Sequence, residues 1–370
     1  MMVQPVAGRS FLATFALVLV AIAGLFAIDM FLAKTDRAES HIEATRLFEE
    51  GQASLKNGDP LKAVDRISDA ITIERDNRDY LRSLASAQLA AGESADAQTT
   101  LAGLLSSNST DGLANLLMAR VLVREGRAAD AVAYYHRAIY GSWKVDVEGN
   151  RRRARLELID LLAQQNSKAE LLAELLPMQD NAPRDLTARV YLGELLLRAD
   201  SPPRAADVFR GILHESPSNS TANLGLGEAE FAQGDYRAAE KSFQTVLRLA
   251  PDDPKGRHWL DVCRELLQLD PTIRGLASSE RWRRSLTLVR QVRNDVDSCV
   301  REDSSEELKE WASKADAALK TPAKEPRTAD DDFEANLDIA EQLWQIRQKE
   351  CQPQASNDSA LALVLKRLAR

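Results

Sequence analysis

Small residues recur at a fixed interval through the middle of this chain, among otherwise mixed apolar and polar positions. Ala63, Ala97 and Ala131 are evenly spaced, the same interval separates Ala205 from Ala239, and Ala169 aligns between the two groups. Other small residues recur with these alanines: Gly51, Ala85, Ala119, Gly193 and Gly227 lie twelve residues before them, and Gly58, Gly92, Gly126 and Gly234 lie five before. Self-similarity at a period of about 34 positions predicts antiparallel helix pairs that stack on one another.

Each repeat is expected to contain two helices joined by a tight turn. In the last repeat, Gly227 belongs to the first helix, Ala239 and Phe243 pack the second, and Pro251 ends it. Aligning the repeats on their alanines places six starting points, near Ala44, Arg78, Gly112, Asn150, Leu186 and Ser220. The fourth repeat departs from the pattern, because the interval from Ala131 to Ala169 is longer by four than the regular spacing. An insertion is therefore predicted before its first helix.

An apolar run near the amino terminus predicts a membrane anchor within residues 1–37. Eighteen residues from Phe11 to Ile28 contain no charge, and a helix of that length spans about 27 Å, close to the thickness of a bilayer core. The alternative is a signal peptide cleaved after Ala21-Ile22-Ala23. It is less favoured because the apolar run continues beyond Ala23. The basic residues around the run do not fix its orientation.

Beyond Asp270 the periodic pattern stops and four helices are predicted, at 279–301, 305–320, 330–350 and 358–369. Cys299 and Cys351 each close a helix, and those two helix ends would lie side by side in an up-down-up bundle. A disulfide between them is one expectation and two unpaired thiols are the other. A disulfide would indicate an oxidising, extracytoplasmic compartment, the periplasm of a bacterium. A cytoplasmic orientation stays open. Cys263, on an apolar helix face, is predicted to be a buried free thiol.

Composition narrows the possible functions. The net charge of −8 and a pI near 5.3 disfavour nucleic acid as a partner. The sequence contains no HExxH metal motif, no GxSxG elbow and no P-loop, so neither an enzyme nor a cofactor is predicted.

The repeat pattern resembles the tetratricopeptide repeat (TPR) family over about residues 44–253. The resemblance implies that the first helices of successive repeats line a concave groove that holds a protein or peptide partner. The groove residues that it implies are Phe48, Gln52, Arg82, Leu116, Arg120, Arg124, Glu194, Arg198, Glu228 and Phe231. On this reading the groove is basic near Arg82, Arg120 and Arg124 and acidic near Glu194 and Glu228. The Lys/Asn clamp with which some relatives grip a terminal carboxylate is absent.

These patterns together predict an all-α protein. Its parts are a membrane-spanning helix in residues 1–37, a right-handed TPR superhelix with a capping helix in 38–269, and a helical bundle in 270–370. The predicted function is a non-enzymatic, membrane-anchored scaffold that captures a protein partner of unknown identity. One alternative is a substrate-recruiting subunit of a secretion or envelope-polymer system. Another is a catalytic or carbohydrate-binding module in the C-terminal helices.

Overall fold

The structure is a computed structural model, and it describes residues 7–180, 185–297, 304–320, 329–350 and 359–368. Within these ranges the regular structure is entirely α-helical, apart from a single isolated bridge between Asp111 and Ser142. The chain forms two compact units, residues 1–164 and residues 165–370.

Unit 1 holds seven described helices that pair in sequence order. They are α1 (Ala7–Lys56), α2 (Pro60–Ile73), α3 (Arg78–Ala91), α4 (Ser94–Ser107), α5 (Gly112–Arg124), α6 (Ala128–Ile139) and α7 (Val147–Gln164). Each helix packs against the next, and α3 also contacts α5, as expected for stacked helix pairs.

Unit 2 continues with the later repeats and the C-terminal helices. Its described helices are α8 (Lys168–Asp180), α9 (Leu186–Arg198), α10 (Pro202–Glu215), α11 (Ser220–Ala232), α12 (Tyr236–Leu249), α13 (Pro254–Leu269), α14 (Ser278–Asp297), α15 (Glu306–Lys320), α16 (Ala329–Glu350) and α17 (Ala360–Leu368).

Four first helices begin at the residues that the repeat spacing predicts. Helices α3, α5, α9 and α11 start at Arg78, Gly112, Leu186 and Ser220. The residue before each of these helices is Asn or Asp, and its side-chain oxygen accepts a hydrogen bond from a backbone N–H in the first turn. Such caps satisfy donors that have no partner inside the helix. The inter-repeat Asn and Asp residues thus set where these four repeats begin.

A left-handed residue marks the turn between the two helices of every repeat. The residues are Gly58, Gly92, Gly126, Asn166, Asp200 and Gly234, with φ between 56° and 86°. Asn and Asp adopt this conformation more readily than other residues that carry a side chain, so they replace glycine at two turns. Successive turns keep the regular repeat spacing, except that the interval from Gly126 to Asn166 is longer by six.

This turn corrects the alignment of the fourth repeat. Five residues beyond Asn166 lies Leu171, which is 1% exposed, whereas Ala169 is exposed. Leu171 therefore occupies the position held by Ala131 and Ala205 in other repeats, both of which are fully buried. The predicted register was wrong by two residues, because the alignment assumed that the buried position must hold a small side chain. Helix α7 also begins three residues before the predicted Asn150.

Small residues and phenylalanine rings fit together between the helices of unit 2. A Cβ on Gly193 would lie 2.5 Å from Cζ of Phe209, and a Cβ on Gly227 would lie 2.6 Å from Cε1 of Phe243. Both rings are fully buried. Any side chain at either glycine would displace a ring, which explains the small residue in the first helix of these repeats.

The apolar run Phe11–Ile28 lies within the long helix α1. The large apolar side chains described between Phe15 and Leu32 are all more than half exposed. Within the parts of the chain that the structure describes, no helix meets the combined requirement of length and apolarity for crossing a bilayer. The predicted membrane-spanning helix is therefore not supported.

The C-terminal helices share one hydrophobic core with the capping helix α13. This core is buried at Leu266 of α13, Val292 of α14, Leu308 of α15, Leu343 of α16 and Leu365 of α17. At the other end of the chain, α1 packs on α2 and α3. The division of the chain into an anchor, a repeat array and a C-terminal bundle stays a prediction.

The structure tests the prediction for one of the three cysteines. Cys263 is a free, fully buried thiol, as predicted, and burial raises its pKa to about 12. Cys299 and Cys351 lie outside the described residues, so their disulfide stays a prediction.

The left-handed turn predicts opposite effects of two substitutions at one position. Asp200→Gly should raise the free energy of unfolding by about 0.5–1 kcal/mol, because glycine has no Cβ to strain at positive φ. Asp200→Ala should lower it by a similar amount. Denaturant titrations followed by circular dichroism measure both variants. Equal effects of Gly and Ala would show that the exposed ion pair of Asp200 with Lys168, and not the backbone, controls stability here.

Candidate functional site

The first helices of the repeats carry the predicted groove residues, and in unit 1 the basic ones are paired within the protein. Arg82 on α3 donates from Nε to Oδ2 of Asp111 at 2.8 Å and from Nη1 to Oδ1 of Asp79 at 2.6 Å. The Arg82 side chain is 11% exposed and that of Asp111 is 4% exposed. Asp111 also caps α5 through Ala114 N–H. Arg82 therefore connects the first helices of two consecutive repeats.

Arg120 and Arg124 make the same kind of connection between repeats. Arg120 on α5 donates two hydrogen bonds, of 2.9 and 2.6 Å, to the carboxylate of Glu157 on α7. These bonds raise the pKa of Arg120, although burial opposes the shift. Arg124 donates to the carbonyl oxygen of Leu89 on α3. All three arginines that were predicted to make a basic groove are thus engaged in linking adjacent repeats.

The uncharged groove residues of unit 1 are also committed to internal contacts. Phe48 stacks on Tyr80 with ring centroids 4.4 Å apart. The amide of Gln52 donates to Oγ of Ser83 at 2.6 Å. Leu116 is 1% exposed, so its side chain belongs to the core and offers no surface to a partner, which corrects its place in the predicted groove.

Unit 2 differs, because three of its predicted groove residues carry unpaired charges. Glu194 and Arg198 on α9 are exposed, and Glu228 on α11 is half-buried. Within the described residues, none of the three forms a hydrogen bond or an ion pair from its side chain. The fourth, Phe231, packs on Trp259 and Tyr236 with centroids 4.8 and 5.2 Å away, so it supports the surface from below.

The surroundings of Glu228 disfavour its ionised form. Burial raises the pKa of Glu228; the nearby charge of Lys255 lowers it, and those of Glu194 and Asp253 raise it further. A carboxylate that is partly desolvated and close to other carboxylates gains from the approach of a cation. The α9–α11 surface can therefore bind a basic side chain more favourably than an isolated surface carboxylate could.

A cavity in unit 1 was not predicted from the sequence. It has a volume of about 360 Å³ and lies at the amino-terminal ends of α3 and α5, against the segment that joins α6 to α7. Its walls include Leu113, Trp143, Val145 and Arg153. The sequence signal was the insertion in the fourth repeat, whose position was noted but whose packing on α5 the spacing could not reveal.

The described parts of the chain contain no candidate metal-binding site. No group of three or more His, Cys, Asp or Glu side chains lies close enough together there to hold an ion.

The ion pair of Arg82 predicts a stability defect that would imitate a loss of binding. Arg82→Met leaves Asp111 buried without its counter-charge, which typically costs about 3–5 kcal/mol. Arg127→Met removes an exposed pair with Asp130 and should cost less than about 1 kcal/mol. Thermal unfolding of both variants provides the comparison. If the two variants melted alike, the buried pair would contribute no more than a surface pair, and Arg82 would again be a candidate binding residue.

Comparison with known proteins agrees with this architecture. The family model of the tetratricopeptide repeat matches residues 82–146, 148–220 and 192–254. No curated protein is matched by the sequence. Among solved structures, the chain is similar to one in Naa15/Naa10 bound to HypK-THB, with 11% identity, a TM-score of 0.50, and coverage of 87% of this chain and 54% of that one.

Two further structures are similar at lower scores. One is the C-terminal part of a TPR repeat-containing protein from Cytophaga hutchinsonii, with 13% identity, a TM-score of 0.43, and coverage of 77% and 98% of the two chains. The other is YrrB, a TPR protein with an unusual peptide-binding site, with 16% identity, a TM-score of 0.42, and coverage of 52% and 96%. The chain therefore contains tetratricopeptide repeats over residues 82–254.

Proposed function

We propose that this protein is a non-enzymatic scaffold that binds a polypeptide partner on the α9–α11 surface of unit 2. The tetratricopeptide repeat fold generally mediates protein–protein interactions and is typically non-catalytic. The observation that carries the proposal is the contrast between the two units. In unit 1, the charged side chains at groove positions form hydrogen bonds between repeats. In unit 2, the side chains of Glu194, Arg198 and Glu228 form no hydrogen bond or ion pair within the described parts of the chain.

The chemistry of this surface selects the kind of segment that binds. The charge of Glu194 raises the pKa of Glu228, so a Lys or Arg side chain placed between the two carboxylates relieves that repulsion. Arg198, on the same helix as Glu194, supplies a donor for a carboxylate or carbonyl oxygen of the partner. The partner segment is therefore polar, with a basic residue at its centre.

The alternative role in secretion or envelope-polymer assembly, and the extracytoplasmic location, stay predictions from the sequence. Both concern where the scaffold works, and neither changes which surface would bind.

Replacing Glu228 with Gln should make the protein more stable and its partner binding weaker. A carboxyl group with a raised pKa in the folded state favours unfolding once it is ionised, so stability increases as the pH falls through that pKa. Glu228→Gln should therefore raise the free energy of unfolding at pH 7, and its advantage should shrink at lower pH. Denaturant titrations at several pH values measure this. A variant less stable than the parent at pH 7 would contradict the assigned environment.

Photo-crosslinking tests the proposed surface in cells. A benzophenone amino acid at position 187, exposed on α9 two turns before Glu194, leaves the acidic pair in place and should give a discrete crosslinked adduct. The same group at position 241, on the exposed second-helix surface of α12, should not. Adding Glu228→Gln should reduce the yield at position 187 about tenfold, because one charge-assisted hydrogen bond is lost. Equal adducts at positions 187 and 241 would overturn the proposal.

A further inference from the structure

The wall of the cavity beside Trp143 is held in place by hydrogen bonds and packing within the protein. Backbone hydrogen bonds from Gly112 N–H to Ser142 O (2.9 Å) and from Ser142 N–H to Thr110 O (2.7 Å) fix the segment after α6 against the start of α5. The Trp143 indole lies flat on Gly112, where a Cβ would come within 2.5 Å of the ring, and its Nε1–H donates to Ala138 O at 2.9 Å. These two contacts hold the indole ring in the wall of the cavity.

The next part of the segment is held in a conformation that presents apolar side chains to solvent. Asp146 has φ of 43°, in the left-handed region that side chains disfavour. Asn150 on α7 holds this bend, since its amide donates to Val145 O and its backbone N–H donates to Asp146 O, both at 2.9 Å. Val145, next to this bend, is 74% exposed, and Leu113 on α5 is 37% exposed; both line the cavity with Trp143.

The charged side chains that line the cavity are paired with one another, except for Arg153. Arg82 pairs with Asp79 and Asp111, and Lys144 donates to both carboxylate oxygens of Asp79 at 2.9 Å. Two acids and two bases thus neutralise each other. Arg153, exposed on α7, also lines the cavity and has no partner within the described residues. The cavity therefore combines an apolar floor with a surplus positive charge at its edge.

We propose that this cavity binds a segment of a partner protein that presents one apolar side chain beside a carboxylate. The apolar side chain occupies the space between Leu113, Trp143 and Val145, and the carboxylate accepts hydrogen bonds from the Arg153 guanidinium. The inference rests on the proposed function, to which it adds a site on unit 1 with a different ligand chemistry. The carboxylate comes from an Asp or Glu side chain or from the end of a chain, since both offer the same two oxygens.

Indole N–H signals of the full chain labelled with ¹⁵N-tryptophan test the proposal, because Trp143 is in the cavity wall. The signal of Trp143 is assigned by its loss in Trp143→Phe. The probes are acetyl-Gly-Leu-Glu-Gly-amide and acetyl-Gly-Gly-Leu with a free carboxylate, each with a neutral counterpart that carries Gln or a terminal amide. Saturable movement of the Trp143 signal by a carboxylate peptide is expected. The peptide that binds more tightly identifies the source of the carboxylate.

A matched pair of arginine variants separates a specific site from general attraction. Arg153→Gln should weaken binding of the carboxylate peptide about tenfold, as should neutralising the peptide. Arg152→Gln removes a neighbouring exposed positive charge that does not line the cavity, and it should leave binding unchanged. Equal losses in both arginine variants, or no movement of the Trp143 signal at millimolar peptide, would overturn the proposal.

The two proposals fail independently. If the Trp143 signal does not move but position 187 gives adducts, the scaffold function stands and the cavity site is excluded. If the Trp143 signal moves but position 187 gives no adduct, the cavity site stands and the α9–α11 surface is excluded.

Discussion

The close approach of paired helices at small residues is the constraint on which the repeat architecture depends. Ala63, Ala97, Ala131, Ala205 and Ala239 have no exposed surface, and Gly193 and Gly227 admit phenylalanine rings into space that any side chain would fill. Burial of such well-packed apolar surface is the main favourable term in folding. Because the packing repeats with the period of the sequence, each helix pair presents its first helix in the same way. Binding positions then follow from repeat number, without a dedicated active-site fold.

Charged residues at those positions either link adjacent repeats or remain available to a partner, and the charge alone does not show which. Arg82, Arg120 and Arg124 read as a basic binding surface in the sequence, yet each joins one first helix to the next. Their acceptors are not local in sequence: Asp111 is 29 residues from Arg82, and Glu157 is 37 from Arg120. Pairing of this kind fixes the spacing of successive repeats. Among the described residues, those left for a partner are charged side chains that form no hydrogen bond or ion pair within the protein, such as Arg153, Arg198 and Glu228.

The sequence predicted the helices better than it predicted the sites. The spacing of the recurring small residues located the first residues of α3, α5, α9 and α11, because the turns and the Asn or Asp caps that bound these helices depend on local backbone chemistry. The fourth repeat was misaligned because Leu171 fills a position held elsewhere by alanine, a substitution that only the packing around it reveals. The Trp143 cavity depends on backbone hydrogen bonds between segments about thirty residues apart, for which the sequence carries no local signal.

The core shared by α13 and the four helices after it has a consequence for how such a chain can change over evolutionary time. An open repeat array can lengthen at its end, because the last unit offers the next one an apolar face. Here that face is occupied, with Leu266 and Leu365 in one buried cluster. Duplication or deletion of a whole unit is therefore compatible with the fold only between internal turns, such as those at Gly92, Gly126 and Asp200. Gene variants of different length should keep residues equivalent to 254–368 intact.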